Sequence, residues 1–216
     1  MLETMIPENT MEYNQVMITG QIVSEFAFHH TAFHEDFYMV KVRVGRMSET
    51  VDLIPVMVSE RILDVNGSYN GRYVEIHGQF RSYNRKEEQH NHLLLSVFAR
   101  EIYFVKDRKM IKEKLSMNEI FLDGYICKPP VYRKTPLGRE ITDIMMAVNR
   151  SYGKADYIPC ICWGRTARYV AGFEVGARVV IRGRVQSREY IKKDETQHPD
   201  KHIAYEVSIS KLECRC

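Results

Sequence analysis

Apolar and polar positions alternate along this chain in short runs broken by Gly and Pro, and the runs come twice. Asn14–Ser24 reads NQVMITGQIVS and Asn118–Lys128 reads NEIFLDGYICK, each with Asn, an apolar run and Gly six residues on. Asp52–Val58 (DLIPVMV) matches Asp156–Cys162 (DYIPCIC), and Gly71–Ser82 (GRYVEIHGQFRS) matches Gly176–Ser187 (GARVVIRGRVQS). The offset is 104 for the first two blocks and 105 for the third (118−14, 156−52, 176−71). Three blocks in one order at near-constant spacing mark the duplication of a whole domain rather than a short solenoid period. Period-two alternation rich in Val, Ile, Tyr and Phe predicts strands near 14–26, 36–46, 51–58, 71–83 and 92–105 in the first copy. The second copy has them near 118–128, 139–149, 155–163, 177–189 and 203–213. Arg165–Phe173 (RTARYVAGF) lacks Pro and spaces its apolar residues for a short helix, and the first copy places one near 59–65.

Five strands with a helix between the third and fourth is the layout of an OB-fold. The expected fold class is therefore all-β: two tandem five-stranded OB-fold barrels, each with a short helix between strands 3 and 4. The expected domains are residues 12–106 and 118–214, joined by a charged linker over 107–117. A length of 216 residues suits two domains of about a hundred residues each, and 44% apolar residues are enough for two small cores.

Charge separates the copies. Residues 1–107 hold 10 Lys/Arg and 15 Asp/Glu, a net of −5; residues 108–216 hold 21 and 13, a net of +8. A polyanion would choose the second copy. The five cysteines (Cys127, Cys160, Cys162, Cys214 and Cys216) all lie in that copy and make no even disulfide framework, which points to a reducing cytoplasm. Cys160 and Cys162 alternate on a strand as small buried side chains. The terminal CxC supplies only two thiolates, and His29, His30, His34, His90 and His92 lie in hairpin loops without partners at ligand spacing. No metal and no cofactor is therefore expected. No apolar run is long enough for a membrane span, and the acidic start MLETMIPENTMEY has no secretory h-region.

On the strand Tyr157–Trp163 (YIPCICW) odd positions share a face, so Tyr157 and Trp163 point one way while Ile158, Cys160 and Cys162 point into the barrel. Tyr152 precedes that strand in its hairpin, and Tyr190 lies where the fourth strand leaves the sheet. Cations interleave with these rings. Arg133, Lys134 and Arg139 flank the first hairpin loop; Arg150 and Lys154 flank Tyr152; Arg182, Arg184 and Arg188 alternate on the fourth strand; Lys192 and Lys193 follow Tyr190. Flat rings for exposed bases and cations for phosphates are what hold a nucleic-acid strand that has no partner.

From Asn118 to about Leu212 the second copy resembles the bacterial single-stranded DNA-binding protein family. The stretches that carry the likeness are NEIFLDGYICKPPVYRKTPLG, MAVNRSYGKADYIPCICWGRTA and VGARVVIRGRVQSREY. The resemblance implies base-stacking rings at Tyr152, Tyr157, Trp163 and Tyr190, sequence-independent binding of single-stranded DNA, and a nucleoid-associated role in replication, recombination or repair. It also implies four OB-folds per functional unit, which a homodimer of this tandem chain would supply. The family usually carries an acidic tail that recruits replication and repair proteins; this sequence reaches KLECRC without one.

The first copy resembles the family only in its core pattern. At the four ring positions it has Ser48, Leu53, Ser59 and Arg85, which casts it as a structural or pairing module. The rival reading is an OB-fold adaptor of a primosome or mobile element, acting mainly through protein contacts. No carboxylate or His/Cys set has catalytic spacing, so an enzyme is not expected.

Overall fold

Alternating residues become strands here because one face of each meets a core. In β1 (Asn14–Ile22) Val16, Ile18 and Ile22 are buried and Gln15, Met17 and Gln21 are not; in β7 (Asn118–Ile126) Ile120, Leu122 and Ile126 play the same part. The computed structural model describes residues 13–46, 48, 50–86, 91–106, 117–150, 153–193 and 199–215, with side chains for all but 85–86, 91–92, 191–193 and 199–201.

The first half continues with β2 (Ala27–Ala32), β3 (Glu35–Gly45), β4 (Val51–Ser59), β5 (Tyr73–Lys86) and β6 (Asn91–Phe104). The second half has β8 (Val131–Lys134), β9 (Glu140–Asn149), β10 (Ala155–Trp163), α1 (Gly164–Val170), β11 (Arg178–Lys193) and β12 (Pro199–Cys214). In the first half β3, β4, β6, β5 and β1 lie side by side, with β4 and β6 parallel, and β1 returns to β3 through Gln21↔Arg43 and Ile22↔Val42. The second half repeats this with β9, β10, β12, β11 and β7, closed by Tyr125↔Ala147 and Ile126↔Met146. Each half is thus a five-stranded OB barrel. Each also carries a strand the sequence reading did not separate: β2 and β8, hairpin arms paired to β3 and β9.

Closing so few strands needs a sharp bend, and glycine supplies it at Gly78 and Gly183. A Cβ at Gly78 would lie 2.1 Å from the Phe98 carbonyl oxygen, and one at Gly183 would lie 2.3 Å from that of Ser208. Both glycines stand at a register shift in the β5–β6 and β11–β12 ladders, where the strand turns over the core.

The helix expected near 59–65 is not there; turns occupy the segment. The Ser59 hydroxyl donates to the Glu35 carboxylate and accepts the Arg61 N–H, and Ile62 N–H closes a turn onto the Ser59 carbonyl. Asp64 then accepts the Asn66 N–H on its side chain and the Gly67 N–H on its carbonyl. The Asp64 side chain offers the backbone a local partner that competes with a helix, and too few residues precede it to nucleate one. The second copy reads GRTARYV instead. There α1 buries Ala167 and Val170, and the Thr142 hydroxyl holds the Ala167 carbonyl at 2.7 Å. It ends at Val170, earlier than the expected Phe173.

The halves form one twelve-stranded sheet because β1 pairs antiparallel with β7, Val16 opposite Ile120 and Ile18 opposite Asn118. Two reciprocal clamps lock this seam. Asp52 takes both forks of Arg46 at 2.6 and 2.7 Å, and accepts the Ser187 N–H and hydroxyl of the other half at 2.7 and 2.9 Å. Arg46 also donates to the Ser187 carbonyl. In mirror fashion Asp156 binds Arg150 and accepts the Ser82 N–H at 2.6 Å, while Arg150 donates to the Ser82 carbonyl at 2.8 Å. The residues are repeat mates: 46 with 150, 52 with 156, 82 with 187. Burial acts against the Asp52 carboxylate, but the bonds from Arg46 and Ser187 outweigh it and hold its pKa below the usual value.

Candidate nucleic-acid interface

On β10 the alternation buries Asp156, Ile158, Cys160 and Cys162 and turns Tyr157 and Trp163 outward, 44% and 38% exposed. Trp163 is fixed from the neighbouring strand: its indole N–H donates to the Ser208 hydroxyl at 3.1 Å. The ring is polar-anchored on one edge and open on a face, which suits stacking. Burial raises the Cys160 thiol's pKa well above its usual value and pushes Cys162 up to about 12, so both behave as core side chains rather than nucleophiles.

Trp163 stands on the wall of a groove of about 1600 Å³ that also gathers Arg133, Arg139, Arg182, Arg184 and Arg188. A shallower hollow of about 570 Å³ continues past Trp163 between Lys134 and Arg139. Arg182 lies with its guanidinium 5.3 Å from the centre of the Phe121 ring, within cation–π range. Arg188 is 3.7 Å from Glu206, and Arg133 holds Asp143 at 2.7 Å. Both arginines keep about half of their side-chain surface in solvent (53% and 47%). One aromatic face beside five arginines is a chemical fit for a base and its flanking phosphates.

The other expected residues divide. Tyr190, 41% exposed, is in the β11–β12 hairpin and stacks on His202 at 5.4 Å. Tyr157 and Lys154 are exposed but do not line the groove. Arg150 is not available to a phosphate in the expected way, because Asp156 and the Ser82 carbonyl hold it in the seam. Tyr152 and the side chains of Lys192 and Lys193 lie outside the described residues. Of the four first-half positions without rings, Leu53 and Ser48 are exposed, Ser59 is buried against Glu35, and the Arg85 side chain lies outside the described residues.

The groove also holds residues that the sequence reading missed: Phe121 from β7, and Arg46 and Arg100 from the first half. Phe121 was legible by phase, since it alternates with buried Ile120 and Leu122. Arg46 and Arg100 were not, because only the β1–β7 seam brings the acidic half to the edge of this groove.

Known proteins resemble this chain in its second half by sequence and in both halves by fold. The family described as "Single-strand binding protein family" matches residues 117–214. A "Single-stranded DNA-binding protein" of Clostridium tetani is 36% identical over 88 residues, 38% of this chain and 61% of the relative. "Single-stranded DNA-binding protein B" of Bacillus subtilis is 35% identical over 80 residues, 34% of this chain and 71% of the relative. The chain spans less than two thirds of the first relatives' length, 61% and 53%. The solved structure of the wild-type single-stranded DNA-binding protein from Thermus aquaticus superimposes on both halves with a TM-score of 0.74, covering 94% of this chain and 93% of that one at 16% identity, a likeness of fold. On the family match to its second half and the relative it covers to 71%, the chain belongs to the single-strand binding protein family.

Proposed function

We propose that this chain binds single-stranded DNA without sequence preference, stacking bases on Trp163 and neutralising phosphates with Arg133, Arg139, Arg182, Arg184 and Arg188. The observation that carries the reading is the anchored, half-exposed Trp163 ring inside a groove lined by arginines. Bases paired in a duplex have no free face for such a ring, so the groove favours a single strand. The action is stoichiometric: the strand is covered and kept from re-annealing and from nucleases during replication, recombination or repair in the bacterial cytoplasm. Tyr157 and Tyr190 extend the stacking surface, with Lys134 and Lys154 beside it. A homodimer of the tandem chain would present four barrels to one strand.

Trp163 is the only tryptophan, so its emission reports on one place. Adding oligo-dT quenches it, and duplex of equal length does not. Trp163→Ala weakens binding by about 1–3 kcal/mol, the scale of one base–aromatic stack. A lower melting temperature with unchanged affinity per folded molecule, and no quench in the parent, removes Trp163 from the site. Parallel titration with oligo-rU tests the choice of DNA over RNA.

A further inference from the structure

The first half has a ring and a cation of its own at the equivalent surface, each at a shifted position. The parallel pairings set the correspondence: Met57 faces Phe98 on β4–β6 where Ile161 faces Ser208 on β10–β12. Phe98 therefore stands where the second half has Ser208, and Ser59 stands where it has Trp163. On the next strand Gln79 faces Phe98 where Arg184 faces Ser208. Arg81, two residues on, takes the place of Gln186. The ring has passed from the third barrel strand to the last, and the arginine has moved two places along β5.

The transposed pair is assembled. The Arg81 guanidinium lies 3.9 Å from the centre of the Phe98 ring and is steadied by the Gln79 side-chain oxygen at 2.8 and 3.2 Å. Phe98 continues through Phe37, 5.6 Å away, to His30, whose ring lies parallel to Phe37 at 5.0 Å and 13°. His30 is exposed on the β2 arm, so the row of rings opens to solvent there. Burial lowers the Arg81 pKa, and Arg150 and Arg100 lower it further, while Asp156 is the carboxylate that opposes them. Arg81 itself rests on a neutral amide oxygen and a ring face rather than on a carboxylate, which suits it to a phosphate. Arg100 also lines the groove of the second half, which makes the two surfaces continuous.

We propose that the acidic half carries a second binding subsite for the same single strand, with bases against His30 and Phe98 and a phosphate at Arg81 and Arg100. This rests on the function proposed above and extends the path of the strand across the seam. It reverses the role expected for the first half from its missing rings.

The test uses the full chain and two oligo-dT lengths: about 8 nucleotides, within the reach of one OB-fold, and about 30, beyond it. The expected result is that His30→Ala and Arg81→Gln lower affinity for the long strand about tenfold together, while the short strand quenches Trp163 with affinity within about twofold of the parent. Photo-crosslinking of the parent protein to iodouracil-substituted long strand gives adducts at His30 or Phe98, a readout that needs no variant. Unchanged long-strand affinity, or adducts confined to residues 117–215, overturns the subsite. A parent that binds neither strand defeats the functional reading and the subsite with it; a parent that binds both strands, with variants that bind the long one as tightly, defeats the subsite alone.

Discussion

Removing either seam carboxylate lowers stability by about 3 kcal/mol, the largest single-residue effect expected in this chain. The carboxylates of Asp52 and Asp156 are almost wholly buried, with 0% and 2% of their side chains exposed, while Arg46 and Arg150 keep 19% and 27%. Asp52→Ala strips Arg46 of its partner and leaves the Ser187 N–H without its acceptor; Asp156→Ala does the same to Arg150 and Ser82. The residual exposure of each arginine lets water recover part of the loss, which keeps the effect at the lower end for a broken buried pair. The clamps join the halves, so the double variant separates one unfolding transition into two. Urea unfolding followed by Trp163 emission and by far-ultraviolet circular dichroism reads this. Coincident transitions in the double variant, with losses below about 1 kcal/mol for each single change, would mean the clamps do not hold the seam.

The Asp52 clamp also sets a pH dependence. Its folded pKa is depressed, so the carboxylate contributes stability above its unfolded value, near 4. That contribution is lost as pH falls below the unfolded value and through the lower folded one. Asp52→Asn therefore flattens the acid limb of the stability curve. An acid limb identical to the parent's contradicts the assignment.

Affinity for oligo-dT falls steeply with salt, and this is the largest effect expected on binding. If about four phosphates meet the groove arginines, log K declines with log salt at a slope of about −0.7 per phosphate, or about −3 in all. A fourfold rise in salt then weakens binding about 50-fold. The +8 balance of the second half supplies the field. Filter binding or anisotropy across salt concentrations measures the slope. Arg182→Gln and Arg184→Gln each reduce it by about 0.7. A flat dependence, or tighter binding to duplex, refutes a groove built for a single strand.

Much of this could be read from the chain because its cause is local. Alternation along β10 put Tyr157 and Trp163 on one face and Ile158, Cys160 and Cys162 on the other, since a pleated strand turns successive side chains to opposite sides. The helix expected in the first half by analogy with the second is absent because Asp64, Asn66 and Gly67 bring turn chemistry that the second copy lacks. Arg150 was counted among phosphate ligands because a hairpin cation is usually solvated; its partner Ser82 lies 68 residues away in the other half.

By itself the sequence determined the duplication, the two barrels, the strand phases and the polarity of charge between the halves. All of these follow from residue types at short or constant spacing. Only the tertiary structure decided which residues meet. Constant spacing fails at Phe98 and Ser208, 110 apart where Ser59 and Trp163 are 104 apart (208−98, 163−59), because the hairpins before the last strands differ in length. The parallel pairing of the third and last strands, and the pairing of β1 with β7, join residues with no fixed relation along the chain. The ring row of the first half, the clamps of the seam and the far wall of the groove all arise there.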